Sequence, residues 1–261
     1  MDVPEAPVFP VLKDKVAIIT GGAQGMGQAT ASVFLKAGAQ VVIADIKPEG
    51  AEVVAQLAEL GPVRFVPTDI SNSDDVQNLI AETVRIFGRL DVAINNAALT
   101  PDKTSLVDFD EHYWRRVLDV NLTGTALCCK YEMQQMKKQG TPGSIVNIAS
   151  INAYMPQPNM PAYTAAKHAL LGLTKHAATE GGPSGIRVNA IAPGAIFSEM
   201  SAKALEIMGR SHDEFAPKVS SLHRFGQPHE VAQGSLWLAS EASSYVNGIC
   251  LPIDGGFLSK W

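Results

Sequence analysis

Cysteine is scarce in this chain, with three residues in 261. Cys128 and Cys129 adjoin and Cys250 stands far from them, so no C-x-x-C and no zinc spacing exists. The expectation is buried free thiols in a reducing compartment, hence a cytoplasmic protein. The histidines also lack metal-ligand spacing, and no metal site is expected. Positive charge is limited too: 21 Lys and Arg against 26 Asp and Glu leave a formal charge of −5. No basic block offers a surface for nucleic acid or an anionic membrane. No apolar run approaches the roughly 18 residues of a membrane span. The opening stretch MDVPEAPVFPVL carries Asp2 and Glu5 where a signal peptide is basic. Pro4, Pro7 and Pro10 make residues 1–12 an extended arm. The final Ser-Lys-Trp lacks the leucine of a peroxisomal signal. No low-complexity linker divides the rest, which favours one domain over residues 13–261.

What the chain does have is alternation. The runs KVAIIT (15–20), QVVIAD (40–45), VRFVP (63–67), LDVAIN (90–95), SIVNIA (144–149), IRVNAIA (186–192) and GICLPI (248–253) read as strands. Most are β-branched and apolar throughout, the mark of strands covered on both faces. Helical stretches separate them, at 26–37, 49–60, 73–87, 109–138, 162–180 and 228–240. Gly38 and Gly88 stop helices, and Ser71 or Ser73 with Asp74 can start one. Alternation of this kind predicts an α/β fold, doubly wound, with a parallel sheet. Ligands then bind at the carboxyl ends of the strands.

The stretch TGGAQGMG (20–27) falls at such an end. Gly21 and Gly22 can turn the backbone where a Cβ would obstruct it. Gly25, Met26 and Gly27 open the next helix, whose free N–H groups favour an anion such as pyrophosphate. Asp45 ends the second apolar run, eighteen residues after Gly27. A carboxylate there accepts both hydroxyls of an adenosine ribose and repels a 2′-phosphate. Neither Gln24 nor Ile46 offers a cation. Lys47 is the contrary signal, unless it turns away into the next helix. The dinucleotide expected is therefore NAD, with NADP less favoured.

The form T-G-x-x-x-G-x-G resembles the short-chain dehydrogenase/reductase family. NNAA (95–98), DVNLTG (119–124), GSIVNIAS (143–150), YTAAK (163–167), IRVNAIAPGAIFS (186–198) and IDGG (253–256) follow in the family's order and spacing. Ala98 stands where the family has glycine, and Ser198 where threonine is usual. The resemblance runs from about residue 13 to 257. It implies a seven-stranded sheet in the order 3-2-1-4-5-6-7 and an alcohol dehydrogenase or ketoreductase using NAD(P). It also implies a homotetramer, with helices 109–138 and 162–180 at one interface and the C-terminal region at another.

Tyr163 and Lys167 are four apart and share a helix face. A tyrosine of pKa about 10 is a poor base at neutral pH, and a nearby ammonium favours its phenolate. Tyr163 then takes a proton from an alcohol or returns it to a ketone. Ser150 donates to the substrate oxygen. By resemblance, Lys167 also binds the nicotinamide ribose and Asn121 holds a water beside it. By resemblance too, Asp69 and Ile70 contact adenine, Asn95 and Ala97 contact the cofactor, and Ile196 and Ser198 contact the carboxamide. Pro193 and Gly194 form the turn before them. Asp254 reads as structural.

Two segments are expected to shape the substrate pocket. One is 151–162, with Asn152, Tyr154, Met155 and Met160. The other is a loop over about 197–222, with Phe197, Met200, Leu205 and Met208. Both are apolar with few cations, which suits a small, mostly apolar alcohol or ketone, cyclic forms included. Other readings stay open: a 3-oxoacyl-type reductase using NADPH, or a non-catalytic dinucleotide sensor. Sensors on this fold usually lose the tyrosine or the lysine, and both are present.

Overall fold

Seven apolar runs form a single sheet. They are β1 (Val16–Thr20), β2 (Gln40–Asp45), β3 (Val63–Pro67), β4 (Val92–Asn95), β5 (Gly143–Ile148), β6 (Ile186–Pro193) and β7 (Cys250–Ile253). Their order is β3-β2-β1-β4-β5-β6-β7, and every neighbouring pair is parallel. The computed structural model describes residues 4–198, 205 and 211–260. Within them the helices are α1 (Gly25–Lys36), α2 (Gly50–Leu57), α3 (Ser73–Phe87), α4 (Glu111–Leu118), α5 (Thr125–Gln139), α6 (Pro161–Gly181), α7 (His212–Val219) and α8 (Pro228–Ala239).

The period of two along a strand builds two apolar layers. Ala17, Ile19, Val41 and Ile43 face one way, against Phe34 of α1 and Leu236 of α8. Ile18, Val42 and Ala44 face the other, against Leu79 of α3 and Met136 of α5. All five β1 residues are buried. Edge strand β3 exposes Arg64 and Pro67, a charge and a proline that discourage further pairing.

Three local expectations need correction. Helix α3 begins at Ser73, but neither serine caps it: Asn72 Oδ1 accepts from Asp74 N at 2.9 Å and Asp75 N at 3.4 Å. Ser71 instead turns its hydroxyl to Asp69 Oδ1, at 2.7 Å. The expected continuous helix over 109–138 is α4 and α5 joined by a π turn, Asp119–Gly124. This wider turn seats Asn121, whose side chain bonds Leu99, and brings Gly124 against Ile70 with no room for a Cβ. The loop expected to run to about 222 contains α7, started by a reciprocal Ser211–Glu214 capping box. Gly38 and Gly88 do close helices, at φ +88° and +83°. Cys128 and Cys129 are buried free thiols and Cys250 is half-buried.

Candidate active site

The glycine turn is built by close approach. Gly21 has φ +65°, and its N–H donates to Ala44 O at 2.7 Å. A Cβ on Gly27 would lie 2.1 Å from the Gly21 carbonyl oxygen. Gly25, at φ +55°, has open space where its Cβ would be. Gln24 gives α1 no side-chain cap, and no acidic residue occupies the first turn. The helix N–H groups therefore open onto a cleft of about 540 Å³. An uncapped helix start behind a glycine cradle fits a pyrophosphate.

The cleft follows the carboxyl ends of the strands. Its wall includes Gly21, Gln24, Gly25 and Met26, then Asp45 and Ile46, Asp69 and Ile70, Ala97, and Ile196, Phe197 and Ser198. Asp45 is nearly buried, with Oδ2 accepting from Ala23 N and Oδ1 from Lys47 N, each at 3.0 Å. Each carboxylate oxygen keeps a lone pair for a ligand. Lys47 does not turn away. Its Nζ donates to Gln24 Oε1 at 2.8 Å, and both residues line the cleft. The absence of a cation at Gln24, inferred from its residue type, is thus corrected by a neighbour in space.

Asn95 is also corrected. Its side chain points into a buried polar cluster, donating to Glu132 Oε2 at 3.1 Å and Asn147 Oδ1 at 3.0 Å. Burial without a cation raises the Glu132 carboxyl to about 8. Asn96 follows at the end of the strand. It lines the cleft and donates through Nδ2 to Thr20 O at 3.0 Å and Gly21 O at 3.1 Å. Neither Asn96 nor Leu99, Arg116, Asp119 and Val120 of the same wall is expected there from the sequence motifs. Asn96 carried a signal, as the first polar residue beyond the strand. Pro193 ends β6 and Gly194 follows it. Gly194 packs on Asp254, where a Cβ would meet Cα at 2.7 Å, and delivers the chain to Ile196. Asp254 is structural, accepting from Gly256 N and Leu258 N at 2.9 Å each.

Strand β5 lies between β4 and β6, so its end opens between the walls at Ala97–Leu99 and Ile196–Ser198. Ser150 sits there, buried, its Oγ accepting from Asn152 N at 3.1 Å. Helix α6 brings Tyr163 and Lys167 to the same place. Lys167 is buried, donates to Ile148 O at 2.8 Å, and holds Nζ 5.5 Å from the Tyr163 ring centre. Desolvation lowers Lys167 to about 8. Burial raises the Tyr163 hydroxyl, and a hydrogen bond from Ser150 opposes that rise. Within the protein alone, burial is the larger of these two effects on Tyr163. The Asn121 amide is bonded in both directions to the Leu99 backbone and keeps a second N–H and a second lone pair. Its Oδ1 accepts from Leu99 N at 2.7 Å and its Nδ2 donates to Leu99 O at 3.2 Å.

The substrate-pocket residues divide. Phe197 lines the cleft. Asn152 is buried, its Nδ2 against Met160 Sδ at 3.6 Å. Met160 lines a separate groove with Trp114 and His168. Tyr154 is directed elsewhere, its hydroxyl donating to Cys250 O at 3.0 Å. Leu205 is buried. Met200 and Met208 lie outside the described residues. Among the described residues, no three His, Cys, Asp or Glu side chains are placed to hold a metal, and no helix is long and apolar enough to cross a membrane.

A family model described as Enoyl-(Acyl carrier protein) reductase matches residues 21–258. Short chain dehydrogenase/reductase astE of Aspergillus oryzae is 44% identical over 250 residues, covering 94% of this chain and 95% of that protein. The 2,5-dichloro-2,5-cyclohexadiene-1,4-diol dehydrogenase of Sphingobium indicum is 42% identical, covering 94% of this chain and 98% of its own. The crystal structure of levodione reductase matches with a TM-score of 0.89 at 34% identity, covering 96% of this chain and 100% of that one.

Proposed function

The chain belongs to the short-chain dehydrogenase/reductase family, whose members use NAD(P), and from that premise we propose that it interconverts a secondary alcohol and a ketone with NAD(H). The observation that carries this reading is the meeting of Ser150, Tyr163 and Lys167 at the end of β5, between two walls of the cleft. Bound nicotinamide dinucleotide supplies the hydride chemistry. Gly21, Gly25 and the N-terminus of α1 would hold its pyrophosphate, and Asp45 its adenosine ribose. Tyr163 gives or takes the proton at the substrate oxygen. Ser150 positions and polarises that oxygen. Lys167, lowered to about 8 and still mainly ammonium at neutral pH, binds ribose and favours the phenolate. Asn121 acts through Leu99, which it fixes in the cleft wall.

The substrate we propose is mostly apolar and cyclic. Leu99, Ile196 and Phe197 supply apolar surface to the cleft. A relative at 42% identity is named for a chlorinated cyclohexadiene diol. The family model's description as an enoyl reductase is not carried to this chain. In that subgroup tyrosine and lysine stand further apart than Tyr163 and Lys167.

The cofactor choice rests on Asp45. Its carboxylate is fixed by two backbone N–H groups and faces the cleft, where a 2′-phosphate would bring about two further negative charges at neutral pH. Wild-type kcat/KM should be much higher with NAD than with NADP. Asp45→Ala removes charge-assisted bonds worth about 1.5–3 kcal/mol, so NAD efficiency should fall roughly 10- to 100-fold while some NADP use appears. Adding Ile46→Arg should widen the swing, since guanidinium binds phosphate well. Steady-state kinetics with both dinucleotides checks this. A wild-type preference for NADP would mean that the Lys47 ammonium governs the pocket instead.

A further inference from the structure

The first turn of α6 carries Tyr163, and its backbone is capped from sixty residues away. Pro161 has no N–H, and Met160 provides no side-chain cap. Thr164 N already bonds Met160 O at 2.9 Å. The amides of Ala162 and Tyr163 remain. Asp102 accepts both: Oδ2 from Ala162 N at 2.9 Å and Oδ1 from Tyr163 N at 3.1 Å. Asp102 is 5% exposed. Among the described residues it forms no ion pair, so the helix end itself stabilises its charge.

Asp102 ends a short strap that starts in the cleft wall. Ala97, Ala98 and Leu99 line the cleft. Leu99 is clamped in both directions by Asn121. Thr100 O accepts from the Tyr113 hydroxyl of α4 at 2.9 Å. Two residues later comes Asp102. Three elements thus pin residues 99–102, and the strap joins the cleft wall to the backbone of Tyr163. Lys167 is held separately, by Ile148 O.

From this geometry we infer that Asp102 is a positioning residue, which sets the place of the Tyr163 hydroxyl by fixing the first turn of α6. The inference rests on the oxidoreductase reading for its kinetic consequence, but not for its structural one. Loss of the carboxylate frees two amides beside Tyr163 and leaves Lys167 anchored. Proton transfer should suffer while dinucleotide binding persists, since misplacement by about 1 Å can cost of the order of 100-fold.

The test uses full-length Asp102→Ala, with Asp102→Asn as a variant that keeps one acceptor, and Asp108→Asn on the same loop as a control. Hydrogen exchange should show lost protection at Ala162 and Tyr163 in Asp102→Ala, with partial retention in Asp102→Asn. NADH binding, read by fluorescence, should be unchanged. Turnover per bound dinucleotide should fall roughly 10- to 100-fold in Asp102→Ala, with a larger solvent deuterium effect, and less in Asp102→Asn. Unchanged exchange at the two amides overturns the inference. Lost protection with wild-type turnover per site also overturns it, leaving Asp102 as scaffold alone. A wild-type protein inactive on every alcohol and ketone would count against the oxidoreductase reading, and the exchange arm would still decide whether Asp102 fixes the turn.

Discussion

Tyr163→Phe is expected to lower turnover by two orders of magnitude or more, about 3 kcal/mol in the barrier. The substitution removes one oxygen and leaves the ring. The partners that hold the surroundings do not depend on that oxygen: Lys167 is anchored by Ile148 O, Ser150 Oγ accepts from Asn152 N, and Asp102 bonds the backbone of residue 163. The fold and NADH binding should therefore persist. Burial raises the tyrosine hydroxyl, so the protein's own groups do not store it as phenolate. A group that keeps its proton is suited to donate it to a ketone, and Ser150 and Lys167 shape its release. Thermal unfolding, NADH titration and turnover measured on the same preparation separate these effects. Near-normal turnover in the folded variant would remove Tyr163 from the acid/base role.

Gly27→Ala should cost both stability and dinucleotide affinity. The added Cβ would sit 2.1 Å from the Gly21 carbonyl oxygen and 2.8 Å from Asn96 Nδ2. The nearer atom is backbone in the tight turn after β1, so α1 must move away from the sheet or the turn must open. Overpacking of this kind costs about 1–3 kcal/mol, and it displaces the N–H groups proposed to bind pyrophosphate. Gly25→Ala makes a useful contrast. Its Cβ meets nothing within 4 Å, so the penalty to the fold is the φ of +55° alone, about 1–2 kcal/mol. In both variants NADH titration should show weakened binding, with the larger drop in melting temperature for Gly27→Ala. Wild-type NADH affinity in Gly27→Ala would detach the glycine turn from cofactor binding.

Strand positions were legible because β-branched, wholly apolar runs leave few alternatives once helices alternate with them. Asp45 was legible for a similar reason: a carboxylate ending such a run must reach the carboxyl edge. The errors lie where side-chain direction decides. Asn95 and Asn96 are adjacent, but the first ends β4 with its side chain against Glu132 of α5, while the second, beyond the strand, lines the cleft. Lys47 was judged by its place in the chain, but its ammonium is set by Gln24, 23 positions away. The π turn at Asp119–Gly124 has no period of its own in the sequence. It seats Asn121 where its side chain meets Leu99. Asp102 was invisible for the plainest reason. Helix caps are sought next to the helix, and this one arrives from another loop. The four residues named for chemistry were found through family spacing. The structure brings Ser150, Tyr163 and Lys167 together, and it gives Asn121 to Leu99.

Ser150, Tyr163 and Lys167 are proposed to serve hydride exchange between a nicotinamide dinucleotide and a secondary alcohol or ketone. The direct measurement is a panel of cyclic and open-chain secondary alcohols with NAD, and the matching ketones with NADH. Turnover is followed at the absorbance band of the reduced nicotinamide, with phosphorylated and acyl-thioester substrates as comparison. The account predicts turnover on members of the cyclic, mostly apolar set, with NAD(H) preferred and the activity lost in Tyr163→Phe. Binding of NADH without turnover of any alcohol or ketone would contradict it, and so would equal turnover in Tyr163→Phe.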